Sequence, residues 1–303
     1  MLISLCLLGL SRTIAFMGGD AAEFASKLNA ETGRPVVAMA AHPVCSFTAQ
    51  LEIKTDANGW SKLMQHIARC TDQEALAVRS TNPRLAGGYV FRPKALPLWF
   101  SPRLDPQKAA LYESRFGTIE AAPVFEEGTV SCQAHPNKFY SGYVLRQLPL
   151  KKPLKFHWHL ERLRFAAAGK FASEQMLLEA VAKALGGRFV ETQDEYRIDF
   201  DGKAYREQLL ESLKRDRAGL VDLYSIAYNE FRQAVVSSLS GRQIEEAFAS
   251  ESSFIRFDAY PDSLVGRAAA RLVEAFRRTD FDPATGAIVG TGAADLLQHA
   301  DFS

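Results

Sequence analysis

An α+β fold is the expectation for this chain, and three observations carry it. Short apolar stretches with period-two alternation, as at residues 46–54, mark strands. Apolar residues recurring at three and four, as at Ala21, Phe24, Ala25 and Leu28, mark helices between those strands. Beyond Ala204 the periodicity is helical, so mixed α/β units are followed by a helical region.

Residues 12–17 are apolar enough for a first strand, and Gly18-Gly19 permits a tight turn after it. Asp20 is placed to cap the helix that begins at Ala21, and Thr32-Gly33 stops it, glycine being suited to a left-handed C-terminal residue. Pro35 blocks continuation, and residues 36–39 (VVAM) read as a buried strand. In 46–54, Phe47, Ala49, Leu51 and Ile53 share one face, with Thr48, Gln50 and Glu52 on the other. Thr55-Asp56 caps a second helix whose apolar side is Trp60, Leu63, Met64 and Ile67. Residues 75–79 and 88–92 close the unit as a hairpin, giving β-α-β-β-α-β.

That order, the helix ending in Glu31-Thr32-Gly33 before Val36-Val37, and the following strand–helix pair resemble the short N-terminal domain shared by secretins and TonB-dependent receptors. The resemblance covers residues 12–92, with a partial second copy over 154–201. It departs from the family pattern at 69–72, where the apolar Gly-Leu that often opens the last hairpin is absent. It implies a small α/β module of bacterial envelope proteins that works through its surface and sheet edges, and it implies no catalytic residues.

Residues 93–150 form a proline-punctuated connector, ordered because Leu96, Leu98, Trp99 and Phe100 and then Phe139, Tyr140, Tyr143, Val144 and Leu145 are too apolar for a free linker; 108–116 could be a short helix. Residues 151–202 restart as a second α/β unit. Alternation over 154–160 puts Leu154, Phe156, Trp158 and Leu160 on one face of a strand, opposite Lys155, His157 and His159, with Glu161 continuing the polar line. Ser173 caps a helix bearing Met176, Leu177, Ala180, Val181 and Leu185; Gly186-Gly187 stops it, and a hairpin turns at 192–194. Helices are expected at 205–217, 220–239, 242–250 and 263–279, then a flexible tail over 280–303.

With 36 basic against 35 acidic residues, the chain lacks the charge of a general nucleic-acid binder. Lys151-Lys152 with Arg162 and Arg164 make a mildly basic patch, but alternation turns Phe156 and Trp158 away from it, which defeats stacking on bases. Residues 1–10 (MLISLCLLGL) are too short to span a membrane. With residue 11 they read as the remnant of a secretory signal, although no Lys or Arg precedes the apolar run, or as an ordinary first strand. Four cysteines without a Cys-x-x-Cys pair give little support to structural zinc. In an exported chain Cys45 and Cys70 are the candidate disulfide; free thiols are the alternative.

His157-x-His159 is the metal-like pattern, because two residues apart on a strand both imidazoles reach one ion, and Glu161 extends the line. A solvated strand face is the competing reading, and His42, His66, His135 and His299 have no nominating spacing. Gly18-Gly19-Asp20 lacks the Gly-x-Gly-x-x-Gly spacing, and Asp20 would repel phosphate, so it reads as turn and cap. The serine runs 237–241 and 250–253 contain no Gly-x-Ser-x-Gly elbow. The expected function is therefore a non-enzymatic interaction or structural protein of the bacterial cell envelope, without cofactor, binding a protein partner through sheet edges and helix faces. Periplasmic location follows if the chain is exported, and oligomerisation is open. A metal-dependent hydrolase using His157, His159 and Glu161 is the alternative, and a cytoplasmic helical scaffold a third.

Overall fold

A computed structural model describes residues 10–40, 43–53, 57–95, 124–126, 129–134, 141–146, 148–161, 163–249, 261–281, 284–285 and 288–290. The chain is α+β and divides into two compact units, Met1–Asp201 and Gly202–Ser303.

The first unit begins β1 (Leu10–Phe16), α1 (Ala21–Thr32), β2 (Val36–Met39), β3 (Phe47–Ile53), α2 (Ala57–Cys70), β4 (Gln73–Val78) and β5 (Gly88–Pro93). Asp20 caps α1 through a full capping box: its carboxylate accepts from the amides of Ala22 and Glu23, and Glu23 reaches back to the Asp20 amide. Gly33 ends the helix at φ 65°, and its amide donates to the Asn29 carbonyl. β1 and β3 pair antiparallel as a separate two-stranded sheet, from Leu10 opposite Ile53 to Phe16 opposite Phe47.

The remainder of the unit is β6 (Val124–Glu126), β7 (Thr129–Ala134), α3 (Ser141–Arg146), β8 (Leu154–Phe156), α4 (Trp158–Glu161), β9 (Phe165–Phe171), α5 (Glu174–Ala184), β10 (Gly187–Glu191) and β11 (Tyr196–Phe200). A six-stranded sheet runs β4-β5-β2-β9-β7-β6, and a three-stranded one β10-β11-β8. Helices α1 and α2 touch the two-stranded sheet on one side and the six-stranded sheet on the other. Phe16, Phe24, Phe47 and Phe91 meet between these layers, with Phe24 at 5.0 Å edge-to-face from Phe91. Alternation turns Val37, Val90 and Ala167 to the opposite face, where α5 lies; α5 also contacts β10 and β11. It is buried on nearly every side, as a helix between two sheets must be.

The sheet departs from expectation at its centre. Residues 165–171 (FAAAGKF), to which the periodicity assigns no element, form β9, which pairs antiparallel with β2 (Val36 opposite Ala168) and with β7. Residues 151–201 are therefore not a separate α/β unit: β9 joins the sheet of the N-terminal module, and β6 and β7 from the connector extend it. The boundary that survives is the one near residue 202. Gly169 permits the close layering. Its φ is +113°, and a Cβ there would sit 2.8 Å from Pro35 Cα and 2.5 Å from Asn29 Nδ2.

The second unit contains α6 (Gly202–Gly219), α7 (Leu223–Ser238), α8 (Gly241–Ala247) and α9 (Leu264–Arg277), then β12 (Asp280–Phe281) paired with β13 (Ile288–Gly290). Ser240 and Ser263 cap α8 and α9. α7 and α9 run antiparallel, since Tyr224 meets Phe276 while Ala234 packs with Val265 and Ala268. Asn229 Nδ2 donates to the Leu213 carbonyl, tying α7 to α6. The pairing of 280–281 with 288–290 places secondary structure inside the stretch expected to be a flexible tail. The expected N-terminal signal remnant (beyond its last residues, 10–11), the aromatic plug at 96–100 and the helix at 108–116 lie outside the described residues.

Candidate functional site

The His157, His159 and Glu161 constellation loses its premise. β8 ends at Phe156 because only residues 154–156 find partners on β11. The His157 amide donates to the Ile198 carbonyl, and the His157 carbonyl then accepts from the amides of Leu160 and Glu161, winding the chain into the short helix α4. The two imidazoles therefore do not project side by side from a strand. They bracket Phe200 instead: His157 stacks on it at 5.3 Å, and His159 meets it edge-to-face at 5.3 Å. His159 is 1% exposed, and its backbone amide donates to His157 Nδ1. Glu161 faces Arg146 at 2.5 Å. Among the described residues no three His, Cys, Asp or Glu side chains gather as an ion would require.

A more elaborate polar cluster lies at the start of α5. Glu174, 4% exposed, accepts from the Tyr196 hydroxyl at 2.6 Å and from the Lys151 amide at 3.2 Å. Gln175 Nε2 donates to the same hydroxyl, and Lys152 lies over the Tyr196 ring while pairing with Glu191. Burial raises the Tyr196 hydroxyl pKa, and the bond to Glu174 and its charge raise it further. The first turn of a helix favours a carboxylate, which helps explain why Glu174 is tolerated inside. Every group here is engaged within the fold, so the cluster is a structural lock. The sequence did hold one signal for it, an acidic residue directly after a serine cap.

Two edges that the module would offer to a partner are closed. β2, which ends the β4-β5-β2 half of the sheet, is covered by β9. On β4 the carbonyls of Ala75 and Ala77, two residues apart and so pointing the same way, accept from Gln65 Nε2 at 2.7 Å and Lys183 Nζ at 3.4 Å. The glycine turn before α1 holds no anion cradle either: Gly19 exchanges both backbone bonds with Val44, and the α1 N-terminus is filled by Asp20 and Glu23. Cys45 and Cys70 are free and exposed, which matches the free-thiol alternative and not the candidate disulfide.

The second unit presents apolar surface. Val221, Tyr228, Leu264, Val273 and Phe276 are exposed, the last three at 53%, 51% and 57%. Tyr224 stacks on Tyr228 and meets Phe276 edge-to-face, so aromatic groups of α7 and α9 form one patch at one end of the helix pair. At the other end a groove of about 300 Å³ runs between the helices, floored by Ala234 and Ala268 and flanked by Arg267 and Arg271. In the same unit burial pushes the Tyr205 hydroxyl pKa up to about 12 against the opposing charge of Arg232.

No protein-family model, curated protein or solved structure matches the chain. Among the described residues no helix is long and apolar enough to cross a membrane.

Proposed function

We propose that this is an interaction protein of the bacterial cell envelope that holds a protein partner on the α7–α9 face of its helical unit. The carrying observation is the exposed apolar set Tyr228, Val273 and Phe276, joined through Tyr224 at one end of two adjacent helices. Exposed aromatic and aliphatic clusters of this kind are where protein interfaces find their anchors. The covered edge of β2 and the two capped carbonyls of β4 favour the helices over these sheet edges, where the module resemblance would put binding. The envelope assignment rests on that resemblance and on the signal-like residues 1–10.

A photo-crosslinking amino acid at Val273, compared with one at the exposed Arg242 on α8, tests the reading in cells expressing the full chain. A discrete adduct from position 273 and none from 242, recovered with the envelope fraction, is the expected result. Equal labelling from both positions, or recovery of the adduct from the cytoplasm, rejects it.

A further inference from the structure

His66 and Cys70 stand one turn apart on the solvent face of α2, with Cys70 Sγ 3.7 Å from His66 Nε2. Both side chains are exposed. Two ligands of one zinc ion, at about 2.3 Å for sulfur and about 2.0–2.1 Å for nitrogen and at the tetrahedral angle, lie about 3.6 Å apart. The pair already has the edge length of half a tetrahedral site. Its spacing of four residues on a helix is the one that lets paired histidines grip zinc from a single helical face. The backbone beneath is fixed. Leu63, Met64, Ile67 and Ala68 are buried, and the Thr71 amide and hydroxyl both donate to the Ile67 carbonyl just past the end of the helix.

We propose that zinc binds at His66 and Cys70 and joins two copies of this chain, each giving one imidazole and one thiolate. With no third described His, Cys, Asp or Glu at hand, one chain supplies half of the four ligands that zinc prefers. A two-fold axis through the ion supplies the other half from the same two residues, with no further ligand needed. Each Cys70 releases its thiol proton to water on binding, and the two thiolates balance the 2+ charge of the ion. Lys62 and Arg69 are exposed on the same face and repel a second copy, so the ion is the condition for association. This site is independent of the α7–α9 surface and stands or falls separately from it.

The full chain in a phosphine reductant, which removes disulfides from consideration, is titrated with zinc chloride. Its mass is followed by light scattering and its bound metal measured after dialysis. The expected result is a doubling of mass at one zinc per two chains. Cys70→Ser and His66→Ala each weaken zinc binding at least tenfold and stay monomeric, while Cys45→Ser behaves as the parent protein. Cobalt in place of zinc gives a thiolate charge-transfer band that Cys70→Ser removes. Both side chains are exposed, so unchanged circular dichroism and thermal unfolding certify the variants as folded. No retained zinc, one zinc per chain at unchanged mass, or dimerisation that survives Cys70→Ser overturns the proposal; the first of these leaves only a thiol–imidazole hydrogen bond.

Discussion

Tyr196→Phe is the most informative single change in the first unit, because it deletes one oxygen and leaves the ring in place. The lost group donates at 2.6 Å to the buried carboxylate of Glu174, which keeps only the Lys151 amide among its named partners. A hydrogen bond to a charged group contributes about 1.5–3 kcal/mol, and the Lys151 amide that remains on Glu174 keeps the expected loss within that range. We expect a loss of about 2 kcal/mol, which in a unit of this size lowers Tm by about 4–8 °C. The three tryptophans, Trp60, Trp99 and Trp158, all belong to the first unit, so urea unfolding followed by their fluorescence reads this unit alone. Glu174→Gln and the double variant complete a cycle, with an expected coupling of about 1–2 kcal/mol. A Tyr196→Phe protein within about 0.5 kcal/mol of the parent, or a coupling indistinguishable from zero, would refute the description of this cluster as a lock.

Other changes give separate tests. Arg34 lies 5.4 Å over Trp60 and 5.8 Å over Tyr89 and donates to the Gly87 carbonyl, so Arg34→Ala should cost about 2 kcal/mol in the same urea assay, with Arg34→Lys recovering only part. Gly169→Ala combines a positive φ with two close contacts and should cost about 3 kcal/mol or more, read as a large fall in Tm or in soluble yield. Tyr89, Tyr196 and Tyr205 all hold their protons more tightly when folded than at the ordinary tyrosine value of 10.0. Above pH 10 the unfolded chain therefore loses protons that the folded chain keeps. Stability that is complete below pH 10 should decline from there, through pH 12 for Tyr205. Circular dichroism at increasing pH, with tyrosinate absorbance alongside, checks this, and Tyr205→Phe should flatten the decline in the helical unit.

Local signals in the sequence were strong where side chains and backbone agree. The Asp20 cap, the Gly33 stop, the alternation at Phe47 and Ala49 and the Ser173 cap all stand where the residues placed them. β9 was illegible because its centre is Ala166-Ala167-Ala168, small residues with little strand preference, chosen by helices packing on both faces of the sheet. The histidine pair misled for a related reason: alternation over 154–160 is real, but β11 offers pairing for three residues only. Periodicity places a helix over 263–279 but does not say which of its apolar side chains are covered; Leu264, Val273 and Phe276 are exposed. The His66–Cys70 pair is legible as an i, i+4 spacing, but only once the helix is known to run on to Cys70.

The place of β9 also bears on how the chain reaches its native state. Val36 pairs with β5 on one side, but its second neighbour, Ala168, arrives only after nearly all of the first unit has been made. Until then the β4-β5-β2 half of the sheet has an open strand at its growing side, and the aromatic layer around Phe24 lacks part of its cover. Pairings this distant along the chain slow folding and lengthen the exposure of sticky intermediates. A fragment ending at the module boundary near residue 92 would keep that strand permanently bare. The chain's own later residues thus act as the chaperone of its earlier ones.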